Sequence, residues 1–299
     1  MSIATAITAA QGRVADAYTA VSAKGGTLPA TQNLANLPTA INSITSGGVP
    51  TYMAPKANIN GLYQPDNTAT TFTVDGATDV YTAGLAYAFY GCTNLTSIDI
   101  SSITQLTNSL ALDNTFNGCT GLTTADLSGL TLVSGSQALW GCFFGCSELL
   151  TIDISNLQTV SGGNACFYAF YGCTKITSVD LSALETISGA SGCAEMFNRC
   201  TNLASVNLSS LKTITGSSAC SFMFGDCTSL TSLSFPAITT TSFGTRTNQF
   251  RQMCNRIPNI TLHFPSNVQS VIEGLDEYST TAPFGATAGT VLFDLPATE

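Results

Sequence analysis

The 299-residue sequence predicts a repeat solenoid with a 27-residue period and one short parallel strand per coil. A helical hairpin precedes it, and a C-terminal helix and strand close it. The first observation behind this is spacing. Cys92, Cys119, Cys146, Cys173, Cys200, Cys227 and Cys254 recur every 27 residues, and fixed self-similarity of that length marks stacked repeats. The second is a shared apolar frame around each cysteine. FYGCTNLTSIDIS begins at Phe89, FNGCTGLTTADLS at Phe116, FFGCSELLTIDIS at Phe143, FYGCTKITSVDLS at Phe170, FNRCTNLASVNLS at Phe197 and FGDCTSLTSLSFP at Phe224. The third is charge: 9% of residues are Asp, Glu, Lys or Arg, against about 25% in ordinary soluble domains.

Within a unit, Leu95, Ile98 and Ile100 end in period-2 alternation, the pattern of a strand with its apolar side turned inward. A second apolar pair follows, as in Leu157 and Val160, and then a turn at Gly135, Gly162, Gly189 or Gly216. The link back to the next Phe, for example Ala165–Phe170, is expected to be one helical turn. A single coil cannot bury its own apolar face, so it stacks on the next. The recurrent Cys is then a small buried hydrophobe, as is the second column Cys166, Cys193 and Cys220, which shares its slot with Leu85, Leu112 and Leu139. Zinc at Cys142 and Cys146 is the weaker alternative, since no His is near. In the seventh copy Cys254, Ile257 and Ile260 hold the frame, Arg251 takes the Phe slot, and Phe264-Pro265 arrives two residues late.

The ends differ from the repeats. Residues 1–48 read as a helical attachment or oligomerisation segment. Ile3, Ile7, Val14 and Val21 lie on a seam with Ala10 and Ala17, spaced as in a coiled coil. Packing on its own chain is the other reading of this hairpin. Residues 49–87 read as an N-terminal cap with a strand at Thr71–Asp75, and 88–264 as the solenoid. Residues 265–299 read as the C-terminal cap, a helix N-capped by Ser266 followed by a strand in Gly285–Leu295.

Eighteen acids against nine bases give a net charge of -9. No basic run exists to hold nucleic acid or an anionic membrane surface, and no apolar run approaches the roughly 18–20 residues of a membrane span. The start, MSIATAITAAQGR, lacks the features of a secretory signal. No nucleophile-elbow, phosphate-loop or zinc-protease motif occurs, and the single His263 sits in an alternating strand, facing solvent. The chain is therefore expected to be no enzyme and to need no cofactor.

Two features are candidate sites. Asp99, Asp126, Asp153 and Asp180 recur at the period on the outward strand face and continue as Asn207 and Ser234. Neighbouring carboxylates in such a column repel by roughly 1 kcal/mol in water. Neighbouring Ser and Thr hydroxyls offer one relief, backbone donors a second, and a cation such as Ca²⁺ a third. Identical stacked acids lack the opposed environments that split an acid from a base in a glycosidase. The second feature is a set of rings in slots that vary between repeats: Tyr90, Trp140, Phe144, Tyr168 and Tyr171, with Tyr87, Phe167 and Phe222. Rings beside strand-face hydroxyls such as Thr96, Ser178 and Ser205 suit sugar recognition; filling the layer between coils is the alternative.

The motif A-F-x-x-C-x-x-L-x-x-I-x-L, seen in AFYGCTNLTSIDI at Ala88–Ile100 and AFYGCTKITSVDL at Ala169–Leu181, resembles the BspA-type leucine-rich repeat over 88–264. That resemblance implies a curved solenoid with an adhesive or recognition role. AKGGTLPATQNLANLPTAINSI at Ala23–Ile44 and the phrases FPSNVQSVIEGL and FGATAGTVLFDLPAT near the C-terminus are similar to segments of bacteriophage tail and fibre proteins. They imply a virion protein assembled in the bacterial cytoplasm, bound to other virion proteins through residues 1–48. The solenoid would meet a host cell-surface glycan or protein as a tail-fibre or receptor-binding subunit. A head or tail decoration protein without a specific ligand, and a bacterial surface adhesin, are the alternatives. The seam implies a homo-oligomer, with a trimer favoured. Light scattering should find the full-length protein oligomeric and a 46–299 truncation monomeric; two monomers would contradict the seam.

Overall fold

Stacked coils joined edge to edge by main-chain hydrogen bonds make up the computed structural model, which describes residues 56–57, 63–64, 70–74, 78–80, 84–243, 245 and 248–298. The hairpin seam of Ile3, Ile7, Val14 and Val21, and most of 49–87, lie outside the described residues. Strands β1 (Lys56–Ala57) and β2 (Tyr63–Gln64) form an antiparallel pair. From β3 (Thr71–Thr73) onward all pairing is parallel.

Each full coil holds two short strands rather than the one expected. They are β4 and β5 (Ser97–Asp99, Gln105–Leu106), β6 and β7 (Thr124–Asp126, Leu132–Val133) and β8 and β9 (Thr151–Asp153, Thr159–Val160). The series continues with β10 and β11 (Ser178–Asp180, Thr186–Ile187), β12 and β13 (Ser205–Asn207, Thr213–Ile214) and then β14 (Ser232–Ser234). The second strand is a residue pair whose second member is apolar, as in Thr159-Val160. Its inward member is buried and its neighbour half-exposed. Partners sit one period apart, Ser97 beside Thr124 and Thr124 beside Thr151. The second ladder, β5-β7-β9-β11-β13, is continuous. The first runs β3-β4-β6-β8, breaks, resumes as β10-β12, breaks again, and ends as β14-β15-β16.

The expected helical turn is absent, and the reason lies in where the amides point. A helix sends its N–H groups along its own axis and would leave nothing to bind the next coil. Instead the link is a ribbon of overlapping turns. Asp113, Thr115, Asn117 and Cys119 donate to the carbonyls of Leu110, Leu112, Asn114 and Phe116, three residues back. The residues between them, Leu112, Asn114, Phe116 and Gly118, donate to Ala138, Trp140, Cys142 and Phe144 of the next coil. Every amide in the run is thereby satisfied, as buried main chain requires. The ribbon needs a left-handed residue every fourth position, such as Gln137, Gly141 and Gly145, or Asn164, Tyr168 and Gly172.

Columns of like residues fill the interior. Phe89, Phe116, Phe143, Phe170, Phe197 and Phe224 stack with centroids 5.2–6.0 Å apart and near-parallel rings, an arrangement that adds roughly 0.5–1.5 kcal/mol per pair beyond burial. The cysteines do more than fill space. Cys119 Sγ donates to the carbonyl of Phe89 at 3.0 Å, and Cys146, Cys173, Cys200 and Cys227 repeat that bond at 3.1–3.2 Å. A thiol is small and apolar yet still carries a weak donor, which explains its place beside a main-chain oxygen.

Cys254 does not belong to this column. Left-handed Phe222 and Asp226 correspond to left-handed Gln252 and Arg256, a shift of 30 rather than 27. Cys254 therefore occupies the slot of Phe224, and its 27-residue spacing is a coincidence of an insertion upstream. The strand offset is 29, with Ser232 beside Thr261, as the late Phe264-Pro265 implied. Strand β15 (Ile260–Pro265) carries β16 (Gly289–Leu295) on its outer edge. Between them a short helix, Gln269–Glu273, buries Ile272. Ser266 is not a helix cap; it opens a 3₁₀ turn without a side-chain capping bond.

None of the eleven cysteines forms a disulfide, and all are buried. Burial pushes the Cys146, Cys200 and Cys220 thiols up to about 12, and Cys119, Cys142, Cys173, Cys227 and Cys254 upward as well. A hydrogen bond with Cys166, and then burial, raises Cys193. Unfolded thiols ionise near 8.5 while the folded ones keep their protons, so stability is full below about pH 8.5 and falls as pH rises toward about 12. Urea midpoints should be level from about pH 6 to 8 and drop steeply above about 9; a level profile through pH 11 would contradict the buried columns.

Candidate functional site

The outward strand face presents the acidic column. Each member is used by its own backbone. Asp99, Asp126, Asp153 and Asp180 accept, through Oδ1, the amide of the serine two residues on, Ser101, Ser128, Ser155 and Ser182, at 2.9–3.1 Å. The hydroxyls of Ser101 and Ser155 add a second bond at 2.7 Å. In the next coil Asn207 accepts from Ser209 in the same way at 3.2 Å. The slot thus selects a side-chain oxygen that closes the turn after the strand, and charge is incidental to that task. Among the described residues no group of three or more His, Cys, Asp or Glu side chains could hold a metal ion.

A groove of about 520 Å³ opens on this face across four coils, lined by Asp126, Asp153 and Asp180 with Ile98, Leu150, Ile152 and Ser178 among others. It lies at the first break in the strand ladder, between β8 and β10. Leu150 occupies a slot held by Thr96, Thr123 and Thr177 in other coils and is 52% exposed. The hydroxyls of Thr96 and Thr123 donate to carbonyls of the preceding coil at 2.9 Å, a bond that leucine cannot make. The second break follows the coil in which Ala204 fills that slot. Sequence reasoning missed Leu150 because an apolar residue beside the core leucine reads as more core.

The ribbon face presents the rings. Four of the five expected rings come together with Phe167. Phe144 lies flat against Tyr171, 4.7 Å between centroids and 3° between planes. Tyr168 meets Phe144, Phe167 and Tyr171 edge-on at 4.3–5.9 Å, and Trp140 adjoins Phe167 at 5.6 Å. All five are half-buried. Tyr90 stands apart, paired with Tyr87 at 5.9 Å.

Polar groups frame this patch on both sides. Toward the N-terminus, Asn117 donates to Asn114 at 2.6 Å, and Asn114 to Asp113 at 2.7 Å. Toward the C-terminus, Asn198 donates to Glu195 at 3.0 Å, and the Arg199 guanidinium lies 5.5 Å from the Tyr171 ring centre. Burial raises the carboxyls of Asp113 and Glu195. Burial, and then the Glu195 charge, raises the Tyr168 phenol. The Asn198 amide oxygen is buried without a hydrogen-bond partner. Tyr168, at φ 58°, and Glu195, at φ 53°, share the left-handed slot that Gly141 fills one coil earlier. A side chain there costs about 1–2 kcal/mol that glycine avoids.

His263 is only partly open to solvent, and its Nδ1 pairs with the Asp294 carboxylate at 2.9 Å across β15 and β16. Cys142 and Cys146 are buried in the core.

The family model described as the BspA type leucine rich repeat region matches this chain in six copies, over residues 85–168, 140–252 and 164–275. A leucine rich cell surface protein of Faecalibacterium prausnitzii is similar at 15% identity and a TM-score of 0.34, over 73% of this chain and 71% of that one. The Toll–Spatzle complex of Drosophila gives 18% identity and 0.34, over 69% of this chain and 26% of that one. A leucine rich repeat protein of T. pallidum gives 20% and 0.30, over 54% and 78%. No curated protein matches the sequence. No helix among the described residues is long and apolar enough to cross a membrane.

Because the acidic slot needs only an acceptor oxygen, Asp180→Asn should leave the urea midpoint unchanged. Asp180→Ala should cost about 0.5–1.5 kcal/mol. Equal losses for the two would contradict the turn-closing role.

Proposed function

The chain belongs to the BspA-type leucine-rich repeat family, and on that footing we propose that it is a non-enzymatic recognition protein whose ribbon face binds a glycan. One observation carries this reading: five half-buried rings gather on the ribbon face. Tyr168 lies at their centre, in the left-handed slot that the ribbon repeats in each coil, and meets Phe144, Phe167 and Tyr171 edge-on. Its neighbours Trp140, Phe144, Phe167 and Tyr171 make a platform two coils wide. Amides and carboxyls at both rims, Asn114, Asp113, Glu195 and Asn198, are placed to exchange hydrogen bonds with ring hydroxyls. Flat apolar faces stack on the rings, and polar edges meet the rims, the usual composition of a small-ligand site.

We further propose that the solenoid is carried on a virion, as a tail-fibre or receptor-binding subunit held through residues 1–48. The support is the likeness of Ala23–Ile44 and of the C-terminal phrases to phage tail and fibre proteins. Mass spectrometry of purified particles tests the carrier: the chain should co-purify with tails, and its absence from them would overturn the reading.

The full-length protein on an array of bacterial surface glycans should show saturable binding. Tyr168→Gly should reduce that binding at least tenfold while changing stability by less than about 1 kcal/mol, since relief of the left-handed strain offsets the lost ring packing. No saturable binding to any glycan, or undiminished binding by the glycine variant, would overturn the site.

A further inference from the structure

We infer that the strand-face groove at the ladder break is a second docking site, and that its occupant is an arginine side chain on an extended segment of a partner protein. The groove reaches the point where one ladder opens while the other stays closed. Coils bearing β8 and β10 are still joined through β9 and β11, yet β8 and β10 are not paired. At the opening Ile152 is half-exposed, whereas its counterparts Ile98, Ala125 and Val179 are buried. Leu150 stands 52% exposed where neighbouring coils place threonine. The floor is therefore apolar on a face that is otherwise hydroxyl and carboxylate.

The wall is charged. Asp126 and Asp153 are in direct register, which sets them about one strand spacing apart, roughly 4.8 Å. Each has one oxygen tied to its serine turn; Asp153 is exposed and Asp126 half-exposed. No basic residue lines the groove. Its occupant must offer positive charge at the wall and an apolar stretch at the floor. Arginine has both: a methylene stem that lies along apolar surface and a planar fork that bridges paired carboxylates. A free guanidinium or a metal ion would meet the wall and leave Leu150 uncovered, so the match is to a side chain of a polypeptide. The net charge of -9 favours approach of a basic partner.

The chain itself supplies conservative variants. Asn207 closes the same turn as Asp153, so Asp→Asn removes charge and keeps the turn. Thr123 and Thr177 hold the slot of Leu150, so Leu150→Thr removes the floor and keeps the coil. The probe is a capped peptide, Gly-Leu-Arg-Leu-Gly, titrated into the full-length protein at low salt, with the citrulline peptide as its neutral isostere. The arginine peptide should bind saturably, and the citrulline peptide at least tenfold more weakly. The double variant Asp126→Asn, Asp153→Asn should lose at least tenfold, Leu150→Thr several-fold, and Tyr168→Gly nothing, which separates this groove from the ribbon-face platform. Equal affinity for the citrulline peptide, or unchanged affinity in the Asp or Leu variants, would overturn the assignment.

Discussion

Each coil gives its main-chain hydrogen bonds to its neighbours, and the rest of the molecule follows from that constraint. In the strands the ladder is parallel and in register. In the ribbon every second amide crosses to the next coil. A residue's environment is then set by the residues one period before and after it, so every slot becomes a column. Apolar columns gain from this arrangement, as the Phe stack shows. Charged columns lose, because like charges recur at about strand spacing. The scarcity of charge noted in the composition is the consequence.

The few departures from column logic mark the surfaces that matter. Glycine at 135, 162, 189 and 216 is required by close approach: a Cβ on Gly189 would lie 2.0 Å from the Gly162 carbonyl oxygen. The left-handed slot of Gly141 imposes no such crowding from main chain, and the other coils fill it with Tyr87, Asn114, Tyr168, Glu195 and Phe222. The Thr column is likewise regular until Leu150 and Ala204. Leu150 exposes apolar area where threonine would form a hydrogen bond, and the left-handed slot changes its side chain from coil to coil.

The repeat, its period and its core were legible because periodicity in side chains survives without knowledge of the backbone. Phe89 to Phe224, the first six periodic cysteines and Leu95-Ile98-Ile100 all fell where the frame placed them. The ribbon was not legible. Its defining feature is the direction of amides, and side chains as different as Gln137, Asn164 and Ser191 occupy equivalent left-handed positions. The second strand of each coil is two residues long, below the length at which alternation can be told from chance. Cys254 shows the hazard of spacing alone: an insertion shifted the slots by three, and a cysteine fell by coincidence at the old interval. At the candidate sites, the rings were visible as variable residues, but their gathering around Tyr168 depended on turn geometry. The groove depended on an absence of pairing between β8 and β10.

Hydrogen exchange by NMR tests the shared amide ladder most directly. The amides of Asn114, Tyr168 and Glu195 sit on residues that face outward, yet they donate to Trp140, Ala194 and Ser221 of the following coils. They should exchange slowly, with protection comparable to that of core amides such as Phe143 and Phe170, because opening them requires separating two coils. Exchange of these amides at the rate of an exposed loop, with protection confined to the strands, would contradict the in-register stack.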